Sequence, residues 1–207
     1  MAGVLTTTDH IAQVALDLFA QRGYHAVSIR DICKEVGIKE STVYYHYENK
    51  QAIWDALIGQ MDQLIQAKTS SFDHAFEGID QVPEAAMCQV AASLLRDYFL
   101  QPFVHKILSM LAIERMADEK ADQEYKRIAF ELPLKQQEKV FEAMMRRGMI
   151  PQGDPRLLAR EYHGIIFLTY QKNCVGALFT PAQTEQACDE VYQLTADLYR
   201  KMRRDHP

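Results

Sequence analysis

An all-α protein is predicted, and three features carry that prediction. Apolar residues recur at spacings of three and four along most of the 207 residues. The in-out alternation of a half-buried strand is hard to find anywhere. Glycine and proline are sparse, at 9 and 7. About nine helices follow. They divide into an N-terminal three-helix domain, residues 1–50, and a C-terminal helical domain, residues 51–207.

Residues 1–6 are expected to form a loose arm. The first helix is expected from about Thr8 to Gln21, with Ile11, Val14, Ala15, Leu18 and Phe19 as its buried stripe and Gly23 as its stop. Ser28 is a good N-cap for the second helix, and Asp31 three residues on makes nearly a capping box. Ile29, Ile32, Cys33 and Val36 give that helix one apolar face. Gly37 then supplies the left-handed residue that ends a helix with little strain. A third, short helix runs from about Glu40 to Tyr45. Two helices joined at a glycine turn, the second rich in small hydroxyls and tyrosines, match the helix-turn-helix pattern. The fourth helix starts at the N-cap Asn49 and continues to about Ala67, with Ile53, Leu57, Met61, Leu64 and Ile65 inward. Twenty helical residues span about 30 Å.

Thr69 to Pro83 mixes serine, glycine and acids, as a loop does. A fifth helix is expected from about Glu84 to Leu100, with Met87, Val90, Ala91, Leu94, Leu95, Tyr98 and Phe99 inward. Pro102 opens the sixth, where a first-turn proline is tolerated. The seventh runs from about Lys120 to Arg147, and Pro133 should bend or break it. Gly148 to Pro155 is a turn, the eighth helix takes about Arg156 to Leu178, and Pro181 opens a ninth that reaches about Met202.

Composition narrows the function. No charged-then-apolar leader is present, and no apolar run approaches the ~20 residues of a membrane span, so no membrane partner is expected and a cytoplasmic setting is. Cys33, Cys88, Cys174 and Cys188 are scattered without a CxxC pair, as buried reduced thiols are. No GxGxxG, phosphate-binding loop or HExxH occurs, and no glutamate has a histidine three residues later, as a helical di-iron site wants. No enzyme activity, metal or cofactor is expected. Residues 1–50 carry five basic and six acidic side chains, and the whole chain is at −5. A domain this acidic cannot hold nucleic acid by bulk charge. It needs well-placed contacts to phosphates.

The first sixty residues resemble the tetracycline-repressor (TetR) family of bacterial transcription regulators. Phe19 and Gly23, Ser28 through Ile32, Gly37-Ile38, Thr42-Val43-Tyr44, His46-Tyr47, Lys50 and Ile53 carry the resemblance in order and at fixed spacing. Beyond residue 60 it is architectural only. It implies a homodimer that binds a double-stranded DNA operator and is controlled through its helical regulatory domain. It also implies phosphate contacts from Tyr44, His46 and Lys50, with Ser28 near the DNA backbone. A helix lying in the major groove reads DNA from its N-terminal half, which offers Lys39, Glu40, Ser41, Thr42 and Tyr45. Val43 is the inward anchor, and Tyr45 is the tyrosine best placed to be exposed. Lys39 and Lys50 stand at helix N-termini, a few tenths of a kcal/mol unfavourable without an anion nearby. Glu40 has two readings, an acceptor for cytosine or a solvated residue favoured by the helix dipole. The family often has a serine N-cap where Lys39 stands, and lysine cannot accept that hydrogen bond.

In the C-terminal half, Met87, Tyr98, Phe99, Met110, Tyr162, His163, Phe167 and Tyr170 are candidates for a mostly apolar ligand pocket. The alternative is that they simply fill the core. The eighth and ninth helices carry apolar faces broader than one stripe needs, and Leu158, Ile165, Ile166, Val191, Leu194 and Leu198 are expected at a dimer interface. The expected protein is a DNA-binding regulator, a repressor released from a palindromic operator by a small hydrophobic effector. The alternatives are a regulator without small-molecule effector, controlled by a protein partner, and a small all-α enzyme whose helix-turn-helix likeness is incidental.

Overall fold

The computed structural model describes residues 6–70, 81–173 and 180–204, and among these every regular element is helical. Residues 1–5 of the expected arm, most of the Thr69–Pro83 loop, Cys174 and the expected end of the eighth helix near Leu178 lie outside the described residues. In chain order the helices are α1 (Thr7–Arg22), α2 (Ile29–Val36), α3 (Glu40–His46), α4 (Lys50–Ser70) and α5 (Glu84–Leu94). Then come α6 (Pro102–Glu114), α7 (Glu119–Lys126), α8 (Leu132–Arg146), α9 (Pro155–Asn173) and α10 (Pro181–Arg204). A π-helical turn, Leu95–Phe99, extends α5, and another, Arg127–Glu131, joins α7 to α8.

The chain forms two compact units, residues 1–71 with 106–126, and residues 72–105 with 127–207. This differs from a division at residue 50. The α4 helix stays with the first unit because Ile53, Leu57 and Met61 are buried there and α4 packs on α1. Residues 106–126 belong to that unit too.

In the first unit, sharp local signals start and stop the helices. Thr6 caps α1: its Oγ1 accepts the Asp9 N–H at 3.1 Å, and the Asp9 carboxylate accepts the Thr6 N–H at 3.1 Å. Ser28 and Asp31 make the same reciprocal pair at α2. Gly37 (φ +79°, ψ +30°) ends α2 in the left-handed conformation. Asn49 caps α4, its Oδ1 accepting the Ala52 N–H at 2.9 Å. The core of α1 is Ile11, Ala12, Ala15, Leu16 and Phe19, while Val14 and Leu18 are only half-buried. The face is rotated from the expected stripe because α1 packs on both α2 and α4.

In the second unit, α10 packs on α5 and α9, and α9 also packs on α8. The expected seventh helix is divided between the units: α7 belongs to the first, and the π turn and α8, with Pro133 just after the wide turn, belong to the second. Pro133 has no N–H for the Ala129 carbonyl four residues back, and its ring crowds that carbonyl. The π turn is how the helix absorbs both problems. Met149 N–H to Met144 O and Gly148 N–H to Met145 O, each 3.0 Å, close α8. Asp154 caps α9 through the Arg156 N–H at 2.8 Å, and Thr180 with Gln183 caps α10.

Two expectations about faces are corrected here. Val90 is exposed, and Cys88 is buried on α5 in its stead. The broad apolar faces of α9 and α10 are largely intramolecular. Ile166 and Val191 are fully enclosed and present no face to a partner; Leu158 and Leu198 are buried but reach the edge of a surface groove, and Ile165 is half-buried. Each helix is apolar on two sides because it packs on two neighbours of its own unit. What stays exposed is Leu157 and Leu168 on α9, on one face with Gly164, and Leu194 on α10.

Candidate functional site

The α3 helix divides by face. Val43 is fully buried, which fixes the orientation of the other side chains. Lys39 and Ser41 are exposed, and Glu40 and Thr42 half-buried. Tyr45 is 84% exposed and Tyr44 50%. A phenol ring left in water has lost the burial that usually stabilises it, so two such rings side by side mark a surface. Lys39 is the N-cap of α3 and gives no side-chain cap bond, as its chemistry requires.

Neighbouring elements hold this face in place. The His46 ring meets Thr8 Oγ1 through Nδ1 at 2.9 Å, and the Tyr47 hydroxyl donates to the Thr8 carbonyl at 3.2 Å. Both bonds tie the end of α3 to the start of α1. The Glu40 carboxylate accepts from Arg30 Nε at 2.9 Å. This partner answers the question posed by an acid on this face: Glu40 is one half of an exposed ion pair between α2 and α3. Arg30 was not among the candidates, because its link to Glu40, ten residues on, exists only once the two helices pack.

Lys50 is less free than a solvated lysine. Two of its three N–H donors go to the carbonyls of Tyr24 at 2.7 Å and Val27 at 2.8 Å, and its Nζ lies 4.2 Å over the Tyr24 ring. Burial draws its pKa down, and the negative charge of Glu114 opposes that. One donor remains for an anion. Ser28 is engaged in its capping box with Asp31.

Of the pocket candidates, Phe99, His163, Phe167 and Tyr170 form one aromatic cluster in the second unit. Phe99 lies 5.6 Å from Phe167 and 5.2 Å from Tyr170, and His163 stacks on Phe167 at 5.7 Å. Tyr98 is Phe99's neighbour at 5.0 Å, its hydroxyl pKa pushed up by burial. The cluster also holds Phe130, 4.7 Å from Phe167, and His105, whose Nδ1 is 3.0 Å from the Tyr170 hydroxyl. Neither was a candidate; Phe130 sits three residues before Pro133, where the helix departs from plain periodicity. Met87 and Tyr162 meet each other through a 3.5 Å contact from the Tyr162 hydroxyl to the Met87 carbonyl oxygen. Met110 is buried in the first unit.

His163 is fixed by Pro133. Its Nε2 donates to the Ala129 carbonyl at 2.8 Å, the carbonyl that Pro133 cannot serve. That bond leaves Nδ1 as an acceptor, facing Gln137 Nε2 at 3.4 Å. Burial pushes the His163 pKa down, so the ring is neutral. No group of three or more potential metal ligands occurs among the described residues, and no helix of the described residues is long and apolar enough to cross a membrane.

Residues 11–57 match the family described as bacterial regulatory proteins, tetR family. The chain is 44% identical over 46 residues to the biofilm operon icaADBC HTH-type negative transcriptional regulator IcaR of Staphylococcus epidermidis, 22% of this chain and 25% of that protein. It is 32% identical over 95 residues to the HTH-type transcriptional regulator UidR of Escherichia coli, 46% of each. The match thus spans a quarter to about half the length of these curated relatives. The fold resembles a crystal structure of the transcriptional regulator FadR from Bacillus subtilis in complex with stearoyl-CoA, with TM-score 0.59 and 18% identity over 90% of this chain and 96% of that one. These relatives are transcription regulators, and residues 11–57 of this chain carry the helix-turn-helix sequence of the tetR family.

Proposed function

We propose that the protein is a homodimeric transcription regulator that binds a near-palindromic DNA operator and releases it when a small hydrophobic ligand enters the second unit. The observation that carries this is the face of α3: a short helix anchored by Val43, with Lys39, Ser41, Tyr44 and Tyr45 turned outward and Thr42 half-buried beside them. Tyr45 and the hydroxyls are suited to base edges. Tyr44, His46 and the remaining donor of Lys50 are suited to phosphates, and Ser28 lies at the start of the helix that precedes them. Repression is the natural direction, since IcaR is named a negative regulator. Such a protein works in the cytoplasm, with the DNA.

The dimer surface consistent with the packing is the exposed part of α9 and α10: Leu157, Gly164 and Leu168 with Leu194. A Cβ at Gly164 would meet nothing within 4 Å, so another backbone can approach there. The ion pairs Lys172–Glu190 (2.8 Å) and Lys201–Glu161 (3.3 Å) flank the strip. At its Leu157 side an open groove is lined by Met145, Pro151, Leu198 and Met202.

The ligand site favoured is the aromatic cluster of Phe99, Phe130, His163, Phe167 and Tyr170. It is apolar, with few polar groups, as a site for an acyl chain or similar ligand must be. FadR holds stearoyl-CoA on the same fold. One observation favours a second reading, a regulator with no small-molecule effector, controlled by a protein partner. The polar groups of Tyr162, His163 and Tyr170 already have intramolecular partners, as they would in a filled core.

The experiment is selection of DNA fragments by the pure protein, followed by titration at two salt concentrations. The expected result is a near-palindrome with half-sites about 34–36 Å apart. Recovery of no preferred sequence would discard the proposal. A melting screen with acyl-CoAs and other hydrophobic molecules then separates the two readings. A ligand at about 100 times its Kd adds roughly 2.7 kcal/mol and should release the selected DNA.

A further inference from the structure

We infer that Glu114, the last residue of α6, is a positioning residue for DNA recognition: it holds the turn from which the helix-turn-helix starts. This rests on the DNA-binding reading above. Glu114 is the one carboxylate among the buried polar residues of the described chain. Its side chain accepts the backbone N–H of His25 at 3.2 Å and pairs with the His25 imidazole through Nδ1. Gly23 sits directly against it. A Cβ on Gly23 would lie 2.5 Å from Glu114 Oε1 and 2.9 Å from Ile113 Cγ2, and the φ of +82° also favours glycine. The turn is shaped to receive the end of α6.

The other polar groups of the same turn are also closed by side chains. Lys50 serves the carbonyls of Tyr24 and Val27, and Arg22 donates to the Ala26 carbonyl at 3.2 Å. Inside the turn, the one backbone hydrogen bond is a long one, Val27 N–H to Tyr24 O at 3.4 Å. Residues 23–27 therefore take their conformation from Glu114 on one side and Lys50 on the other. The next residue is Ser28, whose extended backbone and capping box start α2. Loss of the Glu114 bond frees the His25 amide, loosens the turn and with it the start of α2, and so disturbs the placement of α3. Within α6 the chain passes from the first segment of the second unit, residues 72–105, into the first unit.

Two variants and three readouts test this. Glu114→Gln keeps the size but cannot accept from both His25 donors. His25→Ala removes an exposed side chain and leaves the core intact, which keeps the test alive should Glu114→Gln fold badly. Hydrogen exchange should quicken about tenfold at residues 24–31 in either variant, with other amides unchanged. Emission of Trp54, the sole tryptophan, should shift in both, because its ring lies 5.0 Å from Tyr24. Affinity for the fragment selected by the wild-type protein should fall about tenfold in each, and no further in the double variant. Wild-type affinity with wild-type exchange at the turn would overturn the inference, as would losses that simply add or exchange that quickens throughout. A wild-type protein that selects no DNA would instead overturn the DNA-binding reading beneath it, while the exchange measurement still reports on the turn.

Discussion

His163 shows how one side chain can be set by a residue far away in the sequence. Pro133 leaves the Ala129 carbonyl without its helical donor, and His163 supplies one. Burial disfavours the protonated ring more than its hydrogen bond to the Ala129 carbonyl favours it, so its folded pKa lies below the usual 6.5. The sign follows from proton counting. Between the folded value and about 6.5 the unfolded chain binds more protons, so stability falls as pH drops through that window. The melting temperature should therefore decline on acidification below about pH 6.5. His163→Gln, which keeps a donor but does not titrate, should flatten that decline; an identical pH profile in the variant would refute it. On the other face, Lys50→Ala should lower affinity for all DNA and reduce the salt slope by about one unit. It should also cost stability, since two carbonyls lose their donor. Tyr45→Ala should shift sequence preference with little change in either slope or melting temperature.

At the scale of elements, the helix ends were legible because caps are local chemistry. Ser28 with Asp31, Gly37, Gly23 and Asn49 act within four residues of themselves, and each stands where the sequence put it. The α3 helix is the weak element: its N-cap is a lysine with no cap bond. Lys39→Asp should stabilise the isolated start of α3 by about 1 kcal/mol and weaken DNA binding, because a cation is exchanged for an anion on the binding face. A variant that gains stability and binds DNA more tightly would mean that Lys39 is no part of that face. The π turn before Pro133 was foreseen only as a bend or break. Whether a proline breaks, bends or widens a helix depends on what can serve the stranded carbonyl, and that partner comes from another helix.

For the whole molecule, the surface proposed for dimerisation is the exposed strip on α9 and α10. Leu168 is 69% exposed and Leu194 41%. Such side chains stabilise little unless covered. Leu168→Glu together with Leu194→Glu should give a well-folded monomer with greatly weakened operator binding. Light scattering that still finds a dimer would move the interface elsewhere. The same change at Val191 is expected to unfold the subunit, because that residue is enclosed within it.

The sequence by itself determined the helical class, the order of the helices, most of their ends and the outward residues of α3. Those rest on periodicity and capping, which operate within one or two turns of chain. Tertiary structure alone decided which of several apolar faces turns inward. It also decided that residues 106–126 join the first unit, that Arg30 meets Glu40 and that Glu114 reaches His25. Each of these depends on groups far apart in the chain, and no local period encodes which distant neighbour will arrive to bury a face or accept a hydrogen bond.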